Sequence, residues 1–423
     1  MHSLEIQPVG HPLNATVRVP GSKSLTNRAL LIGALADGVT TLENALFSDD
    51  SHYFASALHT LGFDVSLESE HAAMSVTGLG GRIPSQKAEL FIGNAGTAAR
   101  FLTAFLTLGH GNYIVDGEAR MRERPIDDLV KALRPLGASL EAKTNCPPVK
   151  IFASGLTGGK SKISGDISSQ FLSAILMVAP YAQTSVEIEV ITELNSKPYV
   201  NMTLSIMREF GIAVEKEGYK RFYISRAIYS PRTNYLIESD ASAASYFFAA
   251  PAICGGTVRV ENISRKSVQG DIDFLDVLEK MGCNVEESDN SISVTRSSDL
   301  RGIEIDMRDI PDTAQSLAAI APFASTPTHI RGIASARVKE TDRVSATCTE
   351  LTRLGVKVVE HKDGMTIYPC EDIKPATVKT YNDHRMAMAF SLIGLRIPGV
   401  TIENPDCVSK TFPNFFEVLE TMR

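Results

Sequence analysis

The sequence predicts an α/β protein assembled from six copies of one module and grouped into two three-part bodies. Two observations carry this: a regular period among strand-like segments, and an alanine-rich helical run ahead of each one. The segments TLENAL, YIVDG, SVEIEV, TVRVEN, HIRGI and TIENP have Leu42, Ile114, Val186, Val258, Ile330 and Ile402 as their second residues, each 72 positions after the last. The preceding runs, RALLIGALADG, AARFLTAFLTLG, QFLSAILMVAP, SAASYFFAAPAICGG, AQSLAAIAPFA and RMAMAFSLIGL, are apolar on every side. Such helices belong inside, with sheets around them. A period this long is the signature of a repeated folding module.

The elements follow in order. SLEIQPV and ATVRV are strand-like. Pro20 and Gly21 stop them, and the first helix then runs to Gly38. In five of the six copies a second helix ends in apolar-G-x-x-apolar, with Gly62, Gly137, Gly211, Gly282 and Gly355 as C-terminal caps. The sixth copy stops at FFEVLETMR without its last strands, and the two N-terminal strands are expected to fill that vacancy. Residues 1–20 therefore pack with the C-terminal half, giving one domain over 21–239 and another over 1–20 plus 240–423.

Composition narrows the class. The 423 residues are 43% hydrophobic and 22% charged, as in ordinary globular proteins, and the formal net charge is -7. An acidic balance argues against a general partner of nucleic acid or anionic membrane. Six cysteines form no CxxC pair, which points to reduced thiols and no metal site. MHSLEIQPVG has no apolar signal core, and FLSAILMVAPYA is too short to span a bilayer. A cytoplasmic protein with no membrane or nucleic-acid partner is expected.

Against that acidic background, cations gather where the repeats begin or turn. The six inner helices are preceded by GSKSLTNR (21–28), GNAGTAAR (93–100), GDISSQ (165–170), ESDASAAS (238–245), IPDTAQ (310–315) and YNDHR (381–385), each with capping residues. Helix N-termini present free N–H donors and a partial positive charge, so they suit anions. Lys23, Arg28, Arg100, Arg124, Lys197, Lys339, Arg343, Arg385 and Lys410 all fall in such openings or in loops. Lys23 and Arg28 oppose the dipole of their own helix, which is sensible if an anion lies between. Focused charge concentrates anionic substrates, and arginine grips phosphate or carboxylate with two parallel bonds. About a third of the nine are expected to pair with acids nearby. Equivalent helix starts in the two bodies are expected to aim at a common gap. Among the cations stand Asp312, Glu340, Asp383 and His384, a set fit for acid–base work on a phosphorylated carboxylate.

Ten ordered segments, PGSKSLTNRALL, GNAGTAAR, RERPI, SSQF, SKPY, DASAASYF, QGD, RVKETDR, NDHRMAMAF and KTFP, resemble the EPSP synthase family, the 3-phosphoshikimate 1-carboxyvinyltransferases, over essentially the whole chain. The resemblance implies two inside-out α/β barrels of six βαβαββ units, with pseudo-threefold symmetry in each domain. It implies transfer of the enolpyruvyl group of phosphoenolpyruvate to the 5-hydroxyl of shikimate 3-phosphate, with phosphate released, on the way to chorismate and aromatic amino acids. It implies no metal or cofactor, a monomeric protein, and inhibition by glyphosate.

By the same resemblance Lys23, Ser24, Arg28, Ser168, Ser169, Ser196 and Lys339 hold shikimate 3-phosphate. Lys23, the Gly96 loop, Arg124, Gln170, Arg343, Arg385 and Lys410 hold phosphoenolpyruvate. Asn94, Arg100, Tyr199, Asp312 and Ser335 complete the substrate contacts. Asp312 accepts the hydroxyl proton and Glu340 protonates the methylene carbon, with Lys23 and His384 in the catalytic set. Two places depart from the family. Its Asn ahead of RVKETDR is Ser335 here, followed by Ala336, and GTAMRP reads GTAARF, with Ala99 and Phe101. The sister family, the UDP-N-acetylglucosamine enolpyruvyl transferases, is disfavoured because DGEARMRERPID lacks their cysteine. A scaffold of anion-binding repeats would need neither Asp312 nor Glu340.

Overall fold

The structure is a computed structural model describing residues 2–423, which divide into two compact units, Gly21–Ile237 and residues 2–20 with Glu238–Arg423. Glu238 and Ser239 group with the second because Gln269 holds them: its Nε2 donates to Glu238 Oε2 at 3.2 Å and to the Ser239 carbonyl at 2.7 Å.

Gly21–Ile237 contains α1 (Lys23–Leu35), α2 (Asp49–Thr60), α3 (Gly96–Leu106), α4 (Asp127–Leu133), α5 (Ser169–Val178) and α6 (Lys197–Glu209). Every residue of α3 is buried, as is α1 from Leu25 onward, and α1, α3 and α5 pack on one another. By contrast, α6 buries only a stripe of Val200, Met202, Thr203, Ile206 and Met207, the pattern of an outer helix. Three four-stranded sheets share one plan. Lys87–Phe91 runs parallel to His110–Asp116, which pairs antiparallel with Val149–Ser154. Gly159–Ile163, Val186–Val190 and Arg221–Ile224 repeat it, as do Tyr235–Leu236, Asp37–Glu43 and Ala73–Leu79.

The first helix ends earlier than its sequence suggests. Ala36 is extended (φ -62°, ψ 165°), and Asp37–Gly38 already belong to the strand. Gly78 of the neighbouring strand sits so close to the last turn that an added Cβ would lie 2.1 Å from the Gly33 carbonyl. The strand thus occupies the space a further helical turn would need. The five expected glycine caps are all left-handed, with φ of 91° at Gly62, 97° at Gly137, 93° at Gly211, 109° at Gly282 and 83° at Gly355.

The second unit contains α7 (Ala241–Cys254), α8 (Phe274–Met281), α9 (Ala314–Ile320), α10 (Arg343–Arg353), α11 (His384–Gly394) and α12 (Phe415–Glu420). Here α7, α9 and α11 form the interior; α9 and α11 are buried throughout. Parallel pairs again form one side of each sheet: Leu13–Arg18 with Gly256–Glu261, Glu304–Asp306 with Thr328–Arg331, and Thr377–Val378 with Thr401–Glu403. Only Ser3–Glu5 fills the vacancy of the last sheet, antiparallel to Thr401–Glu403. ATVRV goes instead to the sheet of Gly256–Glu261. That sheet lacks the strand that normally precedes its inner helix, because Tyr235–Leu236 is already paired with Asp37–Glu43. A free parallel edge is an open row of hydrogen-bond groups, and Leu13–Arg18 satisfies it.

Candidate functional site

Each unit carries its own set of site residues, built on the starts of its inner helices. In Gly21–Ile237, Ser22 caps α1 by accepting from the Leu25 N–H at 3.4 Å, which places Lys23 as the first helical residue. Its Nζ lies 3.4 Å from Oδ2 of the buried Asp50, in the first turn of α2. Ser24 is half-buried on the next position of α1. Arg28, one turn on, is fully buried. Its Nε donates to Thr203 Oγ1 at 2.8 Å, Nη1 to the Ser24 carbonyl at 2.9 Å, and Nη2 to the Tyr199 carbonyl at 3.3 Å and Ser173 Oγ at 3.5 Å. Phe101, which departs from the family pattern, covers the guanidinium at 5.2 Å. Every one of these acceptors is neutral, so burial pushes the guanidinium down to about 10.

At the start of α3 the expected side-chain cap is missing: the N-cap is Ala95, which has no polar side chain. Asn94 serves another end. Its carbonyl and Oδ1 accept from Arg124 Nη1 at 2.9 and 3.0 Å. Gly96 then fits because it has no side chain; a Cβ would stand 2.4 Å from Arg124 Nη2. Arg100 donates back to the Gly96 carbonyl at 3.1 Å and to that of Pro125 at 2.8 Å, so it braces this loop. Ser168 caps α5 through the Gln170 N–H, Ser169 is buried behind it, and Gln170 reaches Thr97 Oγ1 at 3.4 Å. Ser196 is left-handed (φ 56°) ahead of α6, and Lys197 stands 5.7 Å from the Tyr219 ring.

The second unit gathers the carboxylates. Asp312 is no helix cap; it lies in the 3₁₀ turn Pro311–Thr313 before α9 and takes three cations. Lys339 Nζ is 2.5 Å from Oδ1, Arg343 Nη1 3.1 Å from the same atom, and Arg385 Nη2 2.9 Å from Oδ2. Burial penalises this carboxylate, yet Arg385, Lys339 and Arg343 outweigh the penalty and hold it well below the usual range. Burial in turn pushes the Lys339 ammonium down against the pull of Asp312. Arg343, the first residue of α10, also donates to Glu340 Oε2 at 2.8 Å and to Asp383 at 2.8 and 3.2 Å. Asp383 caps α11 by accepting from the Arg385 N–H at 2.9 Å. His384 is enclosed, with Nδ1 3.5 Å from Asp383 Oδ1. Arg385 Nη1 donates to Tyr246 OH at 3.2 Å, and burial keeps that phenol neutral, up to about 12. Ser335 is buried in the 3₁₀ turn Ala334–Val338, and Lys410 closes the one at Pro405–Lys410.

At least four of the nine cations, Lys23, Lys339, Arg343 and Arg385, are thus in ion pairs with acids of the chain. Sequence reasoning missed Asp50, Thr97, Ser173, Thr203 and Tyr246. Asp50 carried a signal, since two acids follow Ser48 at a helix start. Ser173, Thr203 and Tyr246 read as core positions, and nothing in the sequence marks which core hydroxyl meets an arginine. Chemically, one set offers cations and hydroxyls for an anion. The other offers an ionised carboxylate, a second acid and the cations paired with them.

The family model described as EPSP synthase (3-phosphoshikimate 1-carboxyvinyltransferase) matches residues 8–419. The chain is 48% identical to the 3-phosphoshikimate 1-carboxyvinyltransferase of Nostoc punctiforme over 98% of each. It is 49% identical to that of Sulfurovum sp., covering 100% of this chain and 99% of the relative. The chloroplastic enzyme of Solanum lycopersicum is 49% identical and 84% covered. A solved EPSP synthase from Acinetobacter baumannii superposes with a TM-score of 0.82 at 26% identity, over 99% of this chain and 98% of that one.

Proposed function

The chain belongs to the EPSP synthase family of 3-phosphoshikimate 1-carboxyvinyltransferases and catalyses their step of the shikimate pathway, and we propose the residue roles through which it does so. The observation that carries the proposal is Asp312 held between Lys339, Arg343 and Arg385. Lys23, Ser24, Arg28, Ser168, Ser169, Ser196, Tyr199 and Lys339 bind shikimate 3-phosphate. Lys23, Asn94, Gly96, Arg100, Arg124, Gln170, Arg343, Arg385 and Lys410 bind phosphoenolpyruvate, with Ser335 as a further contact. Asp312 takes the 5-hydroxyl proton and Glu340 delivers a proton to the methylene carbon. His384, enclosed behind Asp383, contributes by fixing the start of α11. Fixed cations stabilise the doubly phosphorylated tetrahedral intermediate without reorganising. The fold is read as six βαβαββ repeats, three to a domain, in the inside-out barrel manner, with the boundary two residues earlier than the expected 239, at 21–237 and 1–20 plus 238–423. A cytoplasmic monomer inhibited by glyphosate completes the reading; an inhibition constant in the high millimolar range would remove the last point.

Two variants test the binding roles. Arg28 stands charged among neutral oxygens, and its fall from 12.5 to about 10 corresponds to roughly 3 kcal/mol of penalty. With a lowered folded-state value, that penalty is full below pH 10 and fades as pH rises toward 12.5. An anionic substrate removes it. Arg28→Met should therefore leave the Tm equal or higher, while calorimetry shows shikimate 3-phosphate binding at least about tenfold weaker. Unchanged binding would remove Arg28 from the site. Gly96→Ala must displace the Arg124 guanidinium. Its KM for phosphoenolpyruvate should rise by about tenfold or more at constant Tm, with affinity for shikimate 3-phosphate alone unchanged.

A further inference from the structure

Glu350 is a buried carboxylate, at 0% exposure, that the reaction above does not use. It lies seven residues after Arg343 on α10, with Thr347 between, so the three side chains form one stripe. That stripe meets the chain entering α11 at successive points. Arg343 holds Asp383, Thr347 Oγ1 lies 3.6 Å from Met386 Sδ, and Glu350 receives the segment just before them. Its Oε1 accepts from Tyr381 OH at 2.7 Å, and its Oε2 from the Lys379 N–H at 3.0 Å. On the outer side Arg353 Nε donates to Oε2 at 2.8 Å and neutralises the charge.

The segment so held is unusual. Tyr381 (φ 54°) and Asn382 (φ 55°) are consecutive non-glycine residues in the left-handed region, which a tyrosine rarely enters. Such backbone persists only where its surroundings fix it, and clusters at working sites. Two anchors do so here: Glu350 on Tyr381, and Asn404 Nδ2 on Asn382 Oδ1 at 3.1 Å. The reversal these two residues make is what turns Asp383 toward both the Arg385 N–H and Arg343.

We infer that Glu350 is a positioning residue: by holding Tyr381 and the Lys379 main chain it fixes the left-handed turn that sets Asp383 and Arg385 against Arg343 and Asp312. The inference rests on the proposed role of that cluster. Burial and the Glu350 carboxylate push the Tyr381 hydroxyl up to about 12, so it stays a neutral donor at physiological pH. A shift of an ångström in a positioned group can cost about 10²-fold in rate.

The test uses the full chain, assayed by phosphate release from phosphoenolpyruvate with shikimate 3-phosphate. Glu350→Gln, Tyr381→Phe and the double variant are compared with Arg385→Ala for kcat, KM and Tm. Tyr381 is 40% exposed, so removing its hydroxyl leaves a folded protein and decides the matter even if Glu350→Gln does not fold. Each single variant should lower kcat/KM for phosphoenolpyruvate by about 10- to 100-fold, and the double variant should be no worse than the poorer single. A merely structural role would lower Tm and leave the kinetic constants of the folded protein unchanged; that result overturns the inference. Full activity in Arg385→Ala would instead overturn the reading of the cluster itself.

Discussion

Asp312→Asn is expected to lower kcat by about 10²- to 10⁴-fold, the range for loss of a general base, while KM for shikimate 3-phosphate changes only severalfold. The substitution keeps the shape but removes the charge that Lys339, Arg343 and Arg385 surround, and it turns one of the two accepting oxygens into an NH2 donor. A carboxylate held so far down is a weak base in the empty protein. Two anionic substrates competing for the same three cations relieve that hold, raising the basicity of Asp312 at the moment a hydroxyl is presented. The free enzyme should therefore show no acid limb in kcat/KM from Asp312 above about pH 4. Its depressed value also links to stability. The ionised group contributes fully above its unfolded value near 3.8, and the contribution is lost as pH falls through the lower folded value. Asp312→Asn should accordingly flatten the loss of stability below about pH 4. Loss of substrate affinity with kcat intact would contradict the assignment.

Arg343→Ala should be the most damaging single change to stability. The guanidinium is 3% exposed and serves Asp383, Glu340 and Asp312 together, whose side chains are 0%, 6% and 16% exposed. Removing it leaves neighbouring carboxylates buried without their shared counter-charge. Breaking a buried pair from one side costs about 3–5 kcal/mol, here with repulsion among the acids added. Unfolding should move down by roughly 10 °C, and phosphate release should become undetectable. Arg343→Lys restores one charge but not the fork that reaches three acids, so it should recover part of the Tm and little activity. Calorimetry and the release assay on both variants check this. A Tm within about two degrees of the parent in Arg343→Ala would mean that the acids are protonated or solvated.

How much of this was legible in the chain can be argued from particular residues. The inner helices were legible because α1, α3, α5, α7, α9 and α11 are buried on nearly every side, and that burial calls for alanine, glycine and apolar residues. The glycine caps were visible because Gly62, Gly137, Gly211, Gly282 and Gly355 all need positive φ, which few other residues supply. The end of α1 was not visible: Leu35, Ala36 and Asp37 are acceptable in a helix, and only the approach of Gly78 stops it. Nor was the destination of ATVRV, because strand-like residues fit any open edge, and which edge is open depends on a distant strand at Tyr235–Leu236.

The same division runs through the site. By itself the sequence determined which chemistry the protein has at hand: the cations at helix starts, the carboxylates among them, and the motifs that carry the family. Local spacing and residue type suffice for that. Tertiary structure alone decided the partners. Asp312 faces three cations instead of capping α9, Asn94 holds Arg124 instead of capping α3, Arg28 lies among neutral oxygens, and Glu350 secures a left-handed turn. Each of these meetings joins residues far apart along the chain. Side-chain charge and hydrogen-bond energies fall off within a few ångströms, so only the packed fold could select them.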